Sequence, residues 1–266
     1  MPTTYTHYRF GKDVLQDLPD TIQKTIMNNR AQFDIGLHGP DLLFYYNPLS
    51  KNEVSEIGYR MHDESGNVFF SKAAEILKQM AGDTSASLAY IYGFICHFAL
   101  DSICHPYVEE LDEKGPISHS EIEAEFDRVL LEKDGFQPLS QKVTGHITWK
   151  KETICAIAPF FPQVTKKQIK LTLQSMKFFL DILVAPNGMK RNLINGVLKI
   201  SGNYEKLHTL LMNIEPNPKC AISNQRLMEL YKESIPLAIS LIQNFDAYLQ
   251  DSISLDHAFK HTFGKD

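Results

Sequence analysis

GFICHFALDSICHP, residues 93–106, is an apolar segment that carries three ionisable side chains four residues apart. At about 100° of rotation per residue, His97, Asp101 and His105 share one face of a helix. Such groups are costly in apolar surroundings unless a partner compensates them, and a divalent cation with nitrogen and oxygen ligands is one such partner. The alternative is a core helix whose polar side chains bond to neighbours, but three residues in register favour a metal-binding helix.

A second pair of candidate ligands follows after a short loop. Ser118 and Glu121 predict a capping box at the start of a helix. His119 and Glu123 then lie four residues apart on one face, a pairing that many zinc sites use. The positive end of the helix dipole disfavours imidazolium, so His119 should stay neutral and available to a metal. Alone, such a pair is more often a surface pair, but its closeness to residues 93–106 predicts a shared site.

Composition limits the classes of function. The chain has 266 residues, 43% hydrophobic content and a formal charge of -5. We expect one domain over residues 1–266, with a metal-site half at about 1–135 and a helical scaffold, substrate wall or lid at about 136–266. Without a Lys/Arg stripe or basic tail, the chain should have no extended nucleic-acid surface. Metal ions would reverse the charge locally, so an anionic phosphate ester could still bind.

The cysteines and the N-terminus predict a cytoplasmic protein. Cys96, Cys104, Cys155 and Cys220 lack metal-binding or redox spacing, which is typical of reduced, buried thiols. The first residues have neither a basic start nor an apolar signal core, so we expect no leader. The longest apolar run, 88–100, is short for a transmembrane segment and contains His97. A lipid substrate would therefore be met at a membrane surface or free in solution.

The chain is expected to be all-α. Apolar residues recur three and four positions apart in most segments, and strand-like alternation is missing. Proline and glycine fall mainly between the periodic segments, and Thr165 with Gln168 predicts another capping box. The predicted helices are 8–29, 50–61, 67–81, 84–105, 119–133, 139–157, 165–184, 187–200, 203–213, 223–250 and 254–262.

Further candidate ligands are concentrated in the first half of the chain. They are His7, His38, Asp41 and His62. The histidines of the second half have no partner at ligand spacing; they are His146, His208, His257 and His261.

These residues resemble the zinc-dependent phospholipase C family, all-helical hydrolases distantly similar to single-strand-specific zinc nucleases. Secreted members hold three zinc ions with His-x-x-x-Asp, a second His, and then His-x-x-x-Glu. The matching residues here are His97, Asp101, His105, His119 and Glu123, with the second His after a shorter step than in those enzymes. The resemblance covers about residues 4–135 and implies a multi-helix phospholipase C/nuclease-like bundle with a central metal-binding helix.

The resemblance also implies how the ligands are grouped. One metal would be held by Asp41, His62, His97 and Asp101, and a second by His105, His119 and Glu123. A third would take His7 and share Asp101 as a bridge. In secreted members the third metal also takes the processed N-terminal amine. Here removal of Met1 would expose the amine of Pro2, which could take that role. The expected cofactor is thus two or three zinc ions.

The implied activity is hydrolysis of a small phosphodiester or phospholipid. Adjacent cations lower the pKa of bound water toward about 7 and stabilise charge on a phosphate ester. The family makes Asp41 a possible catalytic base as well as a ligand. Phe44, Tyr45 and Tyr46 are candidates for substrate contact, although aromatic runs are usually core. For His38 we expect either a structural role or a role in orienting a metal ligand through a hydrogen bond.

Three alternatives stay open from the sequence. The doublet His62-Asp63 is also typical of HD-type metal phosphohydrolases. A single-strand nuclease would need a more basic groove or more stacking aromatics, and Trp149 is the single tryptophan. A non-catalytic module stabilised by a structural metal is the third, but eight candidate ligands exceed what one closed ion needs.

Overall fold

The computed structural model describes residues 4–264, except for the side chains at 205 and 206. This part of the chain contains α-helices and short 3-10 turns and no β-strand, which confirms the all-α prediction. In chain order the α-helices are α1 Thr4–Gln16, α2 Asp20–Asn28, α3 Arg30–Gly36, α4 Glu53–Asp63, α5 Gly66–Gln79, α6 Ser85–Lys114, α7 His119–Lys133, α8 Lys151–Ile157, α9 Lys166–Leu183, α10 Gly188–Ile200, α11 Tyr204–Leu207 and α12 Ala221–Leu249. The 3-10 turns are Gly39–Tyr45, Ala158–Phe160, His208–Leu210, Pro218–Cys220 and His257–Lys260.

Helix α6 is the centre of the bundle. It packs against α3 and α12 most extensively and also contacts α1, α2, α5, α7 and α8. Its residues 89–101 are all buried. This helix is long and apolar enough to cross a membrane, but 83% of its most apolar stretch is buried inside the protein, as expected of a core helix.

Helix α6 also extends further than predicted. The sequence predicts an end at residue 105, before Pro106, whereas the helix continues to Lys114. Proline removes one backbone hydrogen bond. Val108 is buried beyond it, and Tyr107 and Leu111 pack on the core, so tertiary packing maintains the helix across this defect.

Four other predicted helices are wrong in extent. The segment 203–213 is α-helical only at Tyr204–Leu207, and 254–262 contains only the 3-10 turn His257–Lys260. The segment 8–29 is divided at Pro19 into α1 and α2. The segment 139–157 is helical only from Lys151, because residues before it form specific contacts instead. Thr144 donates to Asp181 at 2.5 Å and accepts from Lys177 at 2.9 Å. Such contacts between distant residues leave no periodic signal in the sequence.

A close helix crossing determines how α3 approaches α6. Gly36 and Gly93 lie back to back: a Cβ built on Gly93 would come within 2.2 Å of the Phe33 carbonyl oxygen. A Cβ built on Gly36 would come within 2.1 Å of the Tyr90 carbonyl oxygen. Because neither glycine has a side chain, the end of α3 and the loop that follows it lie directly against the middle of α6.

Candidate metal centre

The predicted face of α6 is present and points toward the interior. His97 and Asp101 are buried, and His105 is half-buried one turn further on. Asp101 lies between the two histidines: its Oδ2 is 2.9 Å from His97 Nε2, and its Oδ1 is 3.6 Å from His105 Nε2. The helical register alone accounts for this arrangement.

Helix α7 adds the second pair. His119 Nε2 lies 3.1 Å from Glu123 Oε1, and the same oxygen is 3.3 Å from His105 Nε2 on α6. Ser118 caps the helix by accepting a hydrogen bond from the Glu121 backbone N–H. The predicted capping box is incomplete, because the Glu121 side chain instead accepts hydrogen bonds from Asn213 and Asn217.

The segment after α3 brings Asp41 to the same place. Gly39 has φ +49°, and a Cβ there would lie 2.2 Å from the His97 ring. Glycine therefore permits both the left-handed backbone and the close approach of the 3-10 turn Gly39–Tyr45. His62 of α4 completes the pair, with its Nε2 3.0 Å from Asp41 Oδ1.

The N-terminal helix supplies the eighth predicted ligand. His7 Nε2 is 3.2 Å from Asp101 Oδ1, and the His7 ring stacks on that of His97 at 4.3 Å. Asp127 of α7 anchors this helix start: it accepts hydrogen bonds from the backbone N–H and hydroxyl of Thr6, at 2.8 and 2.5 Å. The predicted roles of Met1 and Pro2 lie outside the described residues.

Three groups of side chains could each hold a metal ion. They are Asp41, His62 and His97; His7, His97 and Asp101; and His105, His119 and Glu123. All eight predicted ligands are included. The grouping differs from the prediction in two memberships: Asp101 is absent from the first group, and His97 joins His7 and Asp101 in the second.

Hydrogen bonds behind the histidines orient their free ring nitrogens. The Nδ1–H groups of His62, His97 and His105 donate to the carbonyl oxygens of Gly58, Leu37 and Phe263, at 2.8, 3.2 and 2.9 Å. Each neutral ring then presents an Nε2 lone pair. These lone pairs face the carboxylate oxygens described above, and two acceptors at about 3 Å repel each other unless a cation lies between them.

Several buried polar atoms of the site also lack a hydrogen-bond partner, as expected of metal ligands. His7 Nδ1, His97 Nε2 and Asp101 Oδ2 are buried and form no hydrogen bond. A cavity of about 20 Å³ lies beside two of these residues, His7 and Asp101, and is also lined by His105 and Glu123. That volume accommodates a single water molecule or a bare ion. The residues present therefore fit a cluster of zinc ions, which prefer imidazole nitrogen and carboxylate oxygen.

The histidine pKa values show that protons can substitute for metal. Burial alone would lower the pKa of His105, but Asp101 and Glu123 more than offset it and raise this pKa to about 9. The pKa of His97 is also raised, since Asp101 and Asp41 outweigh its burial. Burial raises the pKa of Asp101 and the nearby histidines lower it, with a net value well below the ordinary one. Without metal, Asp101 and Glu123 stay ionised and His105 carries a proton at neutral pH.

The predicted aromatic run is divided between core and site. Phe44 lies 5.4 Å from the His62 ring, which keeps it a candidate for substrate contact. Tyr45 belongs to the hydrophobic core and Tyr46 packs partly buried against it. Substrate contact by all three residues stays a prediction.

His38 and His146 form a contact that sequence reasoning missed. Their Nε2 atoms are 2.7 Å apart, and the His146 ring stacks on Tyr8 at 4.2 Å. Burial lowers the pKa of both histidines, to about 3 for His146. Both rings are therefore neutral, and one donates to the other. His146, for which the sequence predicts no partner, pairs with His38 from the first half of the chain.

Two further supports of the site were also missed. Leu37 and Phe263 contribute backbone carbonyls, for which no side-chain pattern exists. Phe263 belongs to the C-terminal segment, where Gly264 has φ +112° and a Cβ would lie 2.1 Å from His105 Cβ. This glycine lets residues 263–264 lie against α6. The second half of the chain thus contributes to the site as well as to the scaffold.

Comparison with known proteins identifies one relationship. A family model described as zinc dependent phospholipase C matches residues 6–175, a range that contains all eight candidate ligands. No curated protein and no solved structure gives a significant match to the chain.

Proposed function

Because the chain belongs to the zinc-dependent phospholipase C family, we propose that it is a metal-dependent phosphoric ester hydrolase that cleaves phosphodiesters in the manner of a phospholipase C. The expected cofactor is two or three zinc ions held by His7, Asp41, His62, His97, Asp101, His105, His119 and Glu123. The observation that carries this proposal is the set of Nε2 lone pairs that face carboxylate oxygens about 3 Å away. Such an arrangement is stable when cations separate the atoms.

The side chains of the protein have distinct roles in this proposal. Bound zinc supplies Lewis-acid activation of water and neutralises charge on the phosphate ester. Asp101 has an oxygen close to each of His7, His97 and His105, so its carboxylate would help to hold zinc at the centre of the ligand set. Asp41 lies at the edge of the cluster beside His62 and can accept the proton of the attacking water. Burial raises the pKa of Asp41, but the adjacent His62 and His97 imidazoles help to hold it low, so this base is ionised.

The alternatives have less support. In an HD-type hydrolase His62 and Asp63 would act together, but His62 faces Asp41 whereas Asp63 is exposed. Three ligand groups also exceed the needs of one structural ion. Nothing in the composition favours a nuclease over a small-substrate enzyme.

The test compares Asp101→Asn with Asp63→Asn. We expect wild-type protein to contain two or three zinc equivalents and to hydrolyse at least one of choline phospholipids, glycerophosphodiesters or aryl phosphodiesters. Asp101→Asn should lose metal and at least about 100-fold of the activity, because a neutral amide binds zinc poorly. Asp63→Asn should retain both. Metal-free wild-type protein, or loss of activity on Asp63→Asn alone, would contradict the proposal and in the second case favour the HD-type reading.

A further inference from the structure

Helix α10, Gly188–Ile200, has no buried residue. Four of its large apolar side chains point outward: Met189, Leu193, Val197 and Ile200 are 86%, 68%, 57% and 90% exposed. Their spacing of four, four and three residues aligns them along one side of the helix, over a length of about 16 Å. Scattered exposed apolar residues are ordinary, but a continuous stripe of four indicates an interaction surface.

The charge of the helix indicates the partner. α10 carries Lys190, Arg191 and Lys199 and no acidic residue, although the whole chain has a net charge of -5. Lys190 donates to the carbonyls of Asp181 and Val184, and Lys199 lies 4.9 Å from the Tyr204 ring. These contacts hold Lys190 and Lys199 on either side of the stripe without neutralising them, whereas Arg191 lies on the opposite face, where it donates to the Ala185 carbonyl oxygen. An apolar stripe bordered by positive charge is typical of helices that lie in the interface of an anionic membrane.

A second copy of the chain fits this surface less well. If two α10 stripes faced each other in a symmetric dimer, the Lys190 and Lys199 ammonium groups of both copies would be brought to the same interface. That arrangement would be repulsive, whereas anionic lipid headgroups would attract these charges. The stripe also runs along a convex helix rather than along a groove, which suits a flat layer.

Contacts join α10 to the site. α10 packs against α11, and the 3-10 turn that follows α11, His208–Leu210, packs on α7. Asn213 donates to both Glu121 and Glu125 of α7. Helix α7 carries His119, the most exposed of the eight candidate ligands, with a side chain 28% exposed. Docking through α10 would therefore hold the α7 side of the site near the lipid surface.

We propose that α10 is a membrane-docking helix that inserts Met189, Leu193, Val197 and Ile200 into the interface of a bilayer containing anionic phospholipid. The purpose of such docking rests on the proposed function. The proposal adds that the phospholipid substrate is met in an aggregated form. Docking itself requires no hydrolysis, so the two can fail separately.

The experiment measures sedimentation of the zinc-loaded protein with vesicles of phosphatidylcholine alone and of phosphatidylcholine mixed with phosphatidylglycerol. The variants are Val197→Glu and Val68→Glu. Both valines lie in helices and both are 57% exposed, so they form a matched pair. Wild-type protein should bind the mixed vesicles and dissociate at high salt. Val197→Glu should reduce the bound fraction at least about tenfold, and Val68→Glu should leave it unchanged.

Three results would overturn the docking proposal: no binding of wild type to mixed vesicles, equal loss in both variants, or a wild-type dimer that Val197→Glu dissociates. Turnover of a soluble aryl phosphodiester separates the two proposals, because Val197→Glu should leave it unchanged. If vesicle binding depends on Val197 but no substrate is hydrolysed, the docking inference stands and the proposed function fails. If soluble turnover persists without vesicle binding, the reverse is true.

Discussion

The orientation of each histidine in this site depends on the carbonyl oxygen that accepts from Nδ1 as much as on the group that faces Nε2. Leu37 and Phe263 accept the Nδ1–H groups of His97 and His105, which commits Nε2 to the interior of the cluster. The adjacent carboxylates raise the pKa of both rings, and that of His105 reaches about 9, so without metal its Nε2 carries a proton at neutral pH. Zinc must displace this proton in order to bind.

Zinc binding at pH 7 should therefore release about one proton per chain, from His105. The pKa of His105 is raised to about 9, so this ring is protonated in the metal-free protein at pH 7. Calorimetric zinc titrations in buffers of different ionisation enthalpy measure the release. Asp63→Asn is the control and should release the same number. A heat of binding independent of the buffer would show that the histidines are already neutral.

Among elements, the crossing of α3 and α6 brings two helix backbones into direct contact next to the site. Gly36 and Gly93 allow backbone contact there, and Leu37 immediately follows α3 with the carbonyl that orients His97. A side chain at this crossing would separate the helices and move that carbonyl. Stability and metal binding are therefore linked through one glycine pair.

Gly93→Ala should destabilise the fold by about 2–4 kcal/mol, because the new Cβ would lie 2.2 Å from the Phe33 carbonyl oxygen. It should also reduce the zinc content. Gly196→Ala is the matched control: a Cβ there meets nothing within 4 Å, and Gly196 lies inside helix α10. Alanine at that position should stabilise by about 0.5–1 kcal/mol. Denaturant unfolding and metal analysis measure both effects, and equal unfolding midpoints for the two variants would contradict the packing argument.

For the whole molecule, the site joins segments that are distant along the chain. α1, the turn Gly39–Tyr45, α4, α6, α7 and the C-terminal segment all contribute a candidate ligand or its support. Bound metal would therefore stabilise the entire bundle and not one local loop. Removal of the metal should therefore lower the midpoint temperature of the global unfolding transition.

Chelation should lower Tm by about 5–10 °C at neutral pH, if zinc is initially present well above its dissociation constant. The pH dependence has a definite sign. The pKa of His105 is raised from 6.5 to about 9 in the folded, metal-free protein, so its proton stabilises that form fully below pH 6.5 and is lost as pH rises through 9. The Tm difference between loaded and metal-free protein should widen over this range. Scanning calorimetry at pH 6 and pH 9 measures it, and a difference that narrows would contradict the assignment.

Local patterns in the sequence were sufficient to predict which candidate ligands share a helix face. His97, Asp101 and His105 follow from helical period, and His119 with Glu123 follows from a cap and a spacing of four residues. The capping box of Thr165 and Gln168 is confirmed for the same reason. His7, Asp41 and His62 were reached through resemblance to the family, since no local pattern connects them to α6. Their roles as ligands stay a prediction.

The rest depended on contacts between distant residues. Helix α6 crosses Pro106 because Val108 is buried beyond it, and 139–150 is not helical because Thr144 bonds to α9. The carbonyl of Phe263 behind His105, and the pairing of His38 with His146, join residues more than a hundred positions apart. The sequence by itself determined the helical class and which side chains share a helix face, because both follow from a period of 3.6 residues. Only the tertiary structure decided which faces meet and which backbone carbonyls orient the rings, because packing between distant segments leaves no periodic mark on either one.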